Sequence, residues 1–128
     1  MLHVPGLYIL DTEEFGRGVY TSEPLRQGDM IELCPIIKIP TGQLEQIDKT
    51  KIYDYYFLWE EDGYDACIAL GYGSLYNHAT SPNAEVIMDY VDHQIKIMAL
   101  SEIEAGDQIF IDYTGGTKGQ VRLWFDVV

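Results

Sequence analysis

Apolar and polar residues alternate along this chain in short runs, broken too often by turn residues to build long helices. Leu7 to Leu10 reads as a short strand, and Asp11 to Phe15 as the polar turn after it. Gly16-Arg17-Gly18 then leads into Val19-Tyr20-Thr21, whose β-branched and aromatic side chains favour an extended backbone. Pro24 to Gly28 is another turn. Met30 to Ile39 is a second apolar run with Pro35 inside it. Proline donates no ladder hydrogen bond, so an edge position or a bulge is predicted there.

Thr41 to Thr50 is the best helix candidate, with Leu44 and Ile47 on one face and Thr41 placed to cap the first turn. Ile52 to Glu60 concentrates Tyr53, Tyr55, Tyr56, Phe57 and Trp59, and a turn over Glu60 to Gly63 joins it to the run Tyr64 to Leu70. That pattern predicts a hairpin. A second hairpin is predicted from Ala84 to Tyr90 and Gln94 to Leu100, joined by Val91-Asp92-His93. Gln108 to Tyr113 reads as a last strand. A loop with Gly115, Gly116 and Gly119 then leads to Leu123-Trp124-Phe125-Asp126. The stretches PLRQGDMIEL and EIEAGDQIFI each place Gly-Asp just before a strand, a recurring hairpin device and not a true repeat. The fold class expected is mainly β: several small sheets with one or two short helices, in one domain over residues 1–128. No strand-helix-strand alternation is present, and Gly71-Tyr72-Gly73 lacks the third glycine of a phosphate-cradling loop.

Between the two predicted hairpins lies Ser74 to Val86, SLYNHATSPNAEV, polar and rich in turn residues. It carries no charge between Ser74 and Ala84 and holds the chain's only two asparagines, Asn77 and Asn83. Asparagine turns usually serve local backbone hydrogen bonding. What raises this one to a candidate site is its company: the Gly-Arg-Gly turn, the acidic glycine turn before Ile-Phe-Ile-Asp-Tyr, and the aromatic tail.

Composition narrows the classes. Hydrophobic residues make up 47% of 128, and no run approaches the ~18 apolar residues of a membrane span. MLHVPGLYIL has no basic region and no small-residue cleavage site, so no signal peptide is read and an intracellular protein is expected. Cys34 and Cys67 are far apart in apolar surroundings and read as small core residues. His3, His78 and His93 are scattered, so no metal site is expected. Acidic residues outnumber basic ones 21 to 8, a net charge of −13. That field opposes direct nucleic acid binding and favours encounter with a basic protein or peptide.

Taken together, FGRGVY (Phe15 to Tyr20), GDMIELCP (Gly28 to Pro35), YNHATSPN (Tyr76 to Asn83), EAGDQIFIDY (Glu104 to Tyr113) and the LWFD tail resemble the SET-domain protein lysine methyltransferases. The likeness runs from Leu7 to Phe125 and is greatest to the small stand-alone SET proteins of bacteria and some viruses. It implies a β-clip fold of small twisted sheets with a C-terminal pseudoknot, the tail threaded beneath a loop. It implies S-adenosylmethionine as methyl donor, released as S-adenosylhomocysteine, with no metal. The acceptor implied is a lysine of a basic protein: a histone, a histone-like protein or a ribosomal protein.

Carried over residue by residue, the resemblance puts the backbone of Arg17 and Gly18 against the amino-acid end of the donor. Tyr76, Asn77 and His78 would also contact it: Asn77 by a side-chain hydrogen bond, His78 through its main chain at the adenine. Trp124 or Phe125 would stack on that base. Tyr113 would be the catalytic tyrosine, also touching the donor. Tyr20, Cys34, Tyr76, Ile111 and Tyr113 would line the lysine channel, with Tyr55, Tyr56 and Phe57 nearby.

The chain departs from the family where Asn77-His78 is followed by Ala79 instead of Ser or Cys, and where Cys34 and Ile111 replace channel aromatics. Those changes leave the number of methyl groups open. The family's cysteine-rich zinc segment and other flanking domains are not read here. The tail from Thr114 to Val128 would therefore complete the channel alone or with a second subunit, as in a homodimer. The alternative is a non-catalytic SET-like module that binds a basic partner through its acidic surface.

Overall fold

Residues 2–112, which the computed structural model describes, form ten strands, one short α-helix and three short 3-10 segments. Before the helix come β1 (Leu2–His3), β2 (Leu7–Thr12), β3 (Gly16–Thr21) and β4 (Met30–Ile39). The helix is α1 (Leu44–Ile47). After it come β5 (Phe57–Trp59), β6 (Asp65–Ala69), β7 (Asn77–His78), β8 (Ala84–Asp89), β9 (Gln94–Ala99) and β10 (Phe110–Ile111). The largest sheet has the order β5-β6-β4-β9-β8, with β1 also paired to β4. β2 pairs antiparallel with β3, and β7 pairs parallel with β10. This is the mainly β, several-sheet architecture expected. The pseudoknot expected with it involves the tail, which lies outside the described residues.

Alternation explains the long hairpin. In β9, Ile95, Ile97 and Ala99 are buried while Gln94, Lys96 and Met98 stand partly open. Across the ladder Val86 meets Ile97 and Ala84 meets Ala99, so both strands present one apolar face. That face packs on Trp59, Phe57, Tyr76, Ile109 and Ile111 in the main core. Each fully buried large side chain contributes about 1.5–3 kcal/mol. His93 makes the bend between the strands in a left-handed conformation, φ 51°.

Two local expectations are corrected. β4 is not an edge strand: Met30 to Pro35 pair with β9, and Ile36 to Ile39 pair with β6. Pro35 stands where the strand changes partner, while the register irregularity falls between Met30 and Glu32. Thr41 does not cap a helix over Thr41 to Thr50. Its amide and hydroxyl both donate to Asp65 Oδ1 at 2.8 Å, tying the segment to β6, and α1 is only four residues long. Leu44 packs with Ile39, Tyr56 and Ala66 in a second small core, where the Tyr56 hydroxyl donates to Asp48 Oδ1 at 2.9 Å. Tyr56, Phe57 and Trp59 are thus core residues.

The two Gly-Asp turns prove to be mates. Leu25 N donates to Ile103 O at 2.8 Å, and Ile103 N returns a bond to Leu25 O at 2.9 Å. Gly28 N donates to Ala99 O, and in the same relation Gly106 N donates to Thr21 O. Thr21 N and Ala99 N complete the exchange with Asp107 O and Asp29 O. Gly28 and Gly106 share nearly the same positive φ, 89° and 91°, which glycine adopts without steric cost. Thr21–Asp29 and Ala99–Asp107 are therefore related by a local two-fold axis. The consequence for the site is direct: the residue after Asp107 is delivered beside the residue before Thr21, and Tyr20 bridges Gln108.

Candidate active site

Asn77 sits where three segments meet. Its strand β7 pairs with β10, Asn77 opposite Phe110 and His78 opposite Ile111. The Asn77 Nδ2 donates to Arg17 O at 3.0 Å, Phe15 O at 3.3 Å and Gln108 Oε1 at 2.8 Å. Two of those three are backbone carbonyls, Phe15 O from the turn before β3 and Arg17 O from β3 itself, which only accept. The amide nitrogen is thus committed to the start of β3 and to Gln108.

Gly18 is buried directly below. A Cβ at this position would overlap the Gln108 side-chain amide and stand 2.8 Å from Asn77 Nδ2. The lack of a side chain here makes room for an amide pair. Gln108 continues the chain, its Nε2 donating to the Tyr20 hydroxyl at 3.0 Å. Tyr20 in turn stacks on Tyr8, ring centres 5.7 Å apart. Asn83 pins the same segment: its Nδ2 donates to Gln108 O at 2.9 Å, and its Oδ1 accepts from Phe110 N at 2.8 Å. One side chain thereby substitutes for a neighbouring strand. Phe15 and Phe110 meet edge to face beside this network, at 5.3 Å.

His78 Nδ1 lies 3.8 Å from Asp112 Oδ1. Burial holds the imidazole below its ordinary range, and the Asp112 carboxylate pulls the other way. His78 is therefore mainly neutral near pH 7.

Tyr76 and Cys34 occupy the core behind Asn77. The Tyr76 hydroxyl donates to Glu32 Oε1 at 2.7 Å, and Tyr72 N donates to Glu32 Oε2 at 2.9 Å. Burial and the Glu32 carboxylate push the Tyr76 phenol well above its ordinary range, and burial likewise raises the Cys34 thiol. Neither is an ionised nucleophile at neutral pH.

Of the residues expected at the site, Arg17, Gly18, Asn77, His78 and Ile111 come together around β7 and β10, with Tyr20 joined through Gln108. Cys34 and Tyr76 form a separate, wholly buried cluster with Glu32. Tyr113, Trp124 and Phe125 lie outside the described residues. Two residues escaped the sequence reading. Glu32 is the sole charge in Met30 to Ile37, and a lone charge inside an apolar run signals a buried, satisfied acid. Gln108 precedes β10, and the alternate positions after it, Phe110 and Asp112, are aromatic and polar, which gives little to single it out.

Residues 16–114 match the SET domain family. The chain belongs to the SET-domain family. Over 121 residues this SET domain is 32% identical to a Schizosaccharomyces pombe histone-lysine N-methyltransferase specific for histone H3 lysine 37, across 94% of this chain and 77% of that one. A solved Plasmodium falciparum protein assigned as a histone methyltransferase superposes with a TM-score of 0.71 at 26% identity, covering 88% of this chain and 95% of its own. A Cryptosporidium SET8 protein superposes at 0.66 with 19% identity, over 84% of this chain and 56% of its own, a likeness of fold. Family membership and the yeast relative support lysine methyltransferase activity for this SET domain.

Proposed function

We propose that this SET domain transfers a methyl group from S-adenosylmethionine to the side-chain amine of lysine in a basic protein. The observation that carries the reading is the commitment of Asn77. With its amide nitrogen held by Phe15 O, Arg17 O and Gln108, its carbonyl oxygen is the atom offered to a ligand. An acceptor there, over the side-chain-poor Gly16–Gly18 strand, suits the ammonium end of the donor. The residues present fit that group.

When bound, S-adenosylmethionine supplies an electrophilic methyl on a sulfonium. This chain's residues would hold the donor at Arg17, Gly18, Asn77 and the main chain of His78, with Trp124 or Phe125 against the base. Tyr113, directly after Ile111-Asp112, would orient the amine. The amine must be neutral to attack, and at pH 7 removing its proton costs about 4–5 kcal/mol from a pKa of ~10.4. An apolar channel past Tyr20 and Ile111, as the family resemblance implies, would lower that cost by disfavouring the ammonium form. The net charge of −13 favours a basic substrate, and the yeast relative's histone activity is consistent with one.

Calorimetry with S-adenosylmethionine tests this. Wild type binds, and Asn77→Ala binds at least about tenfold more weakly, the loss of one well-placed polar contact. Binding without transfer to any lysine protein would favour the non-catalytic module. No binding by wild type would overturn the reading.

A further inference from the structure

Gln108 occupies a position whose hydrogen bonds can be oriented without ambiguity. Phe15 O and Arg17 O face the same Asn77 atom, so that atom is nitrogen. Gln108 presents an atom 2.8 Å from that nitrogen, so it is the oxygen Oε1. Its other terminus is then Nε2, which donates to the Tyr20 oxygen. Gln108 is only 7% exposed, so water does not compete strongly for either end. Its backbone is held as well, by Asn83 at the carbonyl. Gly18 has no side chain where one would displace this amide.

We propose that Gln108 is a positioning residue of the methyltransferase site, locking the Asn77 amide so that its oxygen faces the donor and anchoring the Tyr20 hydroxyl. The proposal rests on the donor reading given above. Its physical basis is that Phe15 O and Arg17 O select nitrogen at that end of the Asn77 amide, and Gln108 adds the shortest of the three contacts, 2.8 Å, and the least exposed partner, so the amide is held with its oxygen toward an ammonium. Holding one orientation in advance removes an ordering cost from binding.

Two variants separate positioning from packing. Gln108→Met keeps the reach and removes both polar ends. Gln108→Glu keeps an acceptor for Asn77 Nδ2, and the Tyr20 hydroxyl meets its second oxygen by donating to it. The expected result is a rise of about tenfold in the S-adenosylmethionine Kd for Gln108→Met, and a Kd within about threefold of wild type for Gln108→Glu. Hydrogen exchange by NMR supplies a readout that needs no donor. The Asn77 side-chain amide protons should be protected in wild type and Gln108→Glu, and exchange faster in Gln108→Met, while those of Asn83 stay slow.

Equal Asn77 protection in Gln108→Met and wild type overturns the proposal, as does a folded Gln108→Met with wild-type donor affinity. If Gln108→Met does not fold, loss of Asn77 protection in folded Gln108→Glu overturns it instead. Absence of donor binding by wild type would defeat the methyltransferase reading, while the exchange data still decide whether Gln108 locks Asn77.

Discussion

The Tyr76 hydroxyl donates to Glu32 Oε1 at 2.7 Å in a fully buried contact, joining strand β4 to the residue just before Asn77. The other oxygen of the same carboxylate takes the backbone amide of Tyr72 at 2.9 Å. A buried acid with both oxygens occupied fixes the approach of its segment to the site.

Removing that acid should therefore cost more than neutralising it. Glu32→Ala removes the carboxylate that accepts from both the Tyr76 hydroxyl and the Tyr72 amide and opens a cavity, at about 3–5 kcal/mol. Glu32→Gln keeps an acceptor for one donor and can donate to the phenol oxygen, so it should lose less than half as much. Urea unfolding of the two variants measures this; equal losses would mean that neutralising the acid costs as much as removing it, and would contradict the prediction.

Glycines 18 and 28 should fail for different reasons. Gly28→Ala meets nothing within 4 Å but must hold φ 89°, a backbone cost of about 1–2 kcal/mol. It should lower the melting temperature and leave donor Kd unchanged. Gly18→Ala pushes into Gln108 and Asn77 and should raise the donor Kd at least about tenfold. Calorimetry and melting curves on the pair check this; a Gly18→Ala protein with wild-type affinity would contradict it.

Alkali should weaken the fold before any tyrosine in an unfolded chain ionises. Burial pushes the Cys67 thiol up to about 12, whereas an unfolded thiol ionises near 8.5. Above that lower value the unfolded state has lost a proton that the folded state keeps, so stability falls as pH rises and is fully present below it. At pH 10 the difference is about 2 kcal/mol from Cys67 alone, at 1.36 kcal/mol per pH unit. Cys34 and, above pH 10, Tyr76 act in the same direction. Melts from pH 8 to 10.5 should show the decline, and Cys67→Ala should flatten it while lowering stability throughout. A decline as steep in Cys67→Ala would assign it elsewhere.

Much of the architecture was legible because strands β8 and β9 alternate cleanly and β5 and β6 flank an acidic glycine turn. The parallel pair β7 and β10 was not, since two residues per strand leave no period to read. The role of Thr41 is not legible in its own segment because its partner, Asp65, is 24 residues away. The likeness of the Gly28-Asp29 and Gly106-Asp107 turns was visible, but their mutual pairing arises only in three dimensions. At the site, Gly18, Asn77 and His78 were identifiable from their motifs, whereas Gln108 depends on contacts 31 and 88 residues distant.

On the function proposed here, lysine is methylated at Tyr113, directly after Ile111-Asp112, with the donor held at Asn77. Its most direct test is transfer of labelled methyl from S-adenosylmethionine to a basic protein mixture, with methyl-lysine counted after hydrolysis for wild type and Tyr113→Phe. The account predicts methyl-lysine from wild type, and most of it lost in Tyr113→Phe with donor affinity retained. No methyl-lysine from a wild type that binds the donor would contradict it.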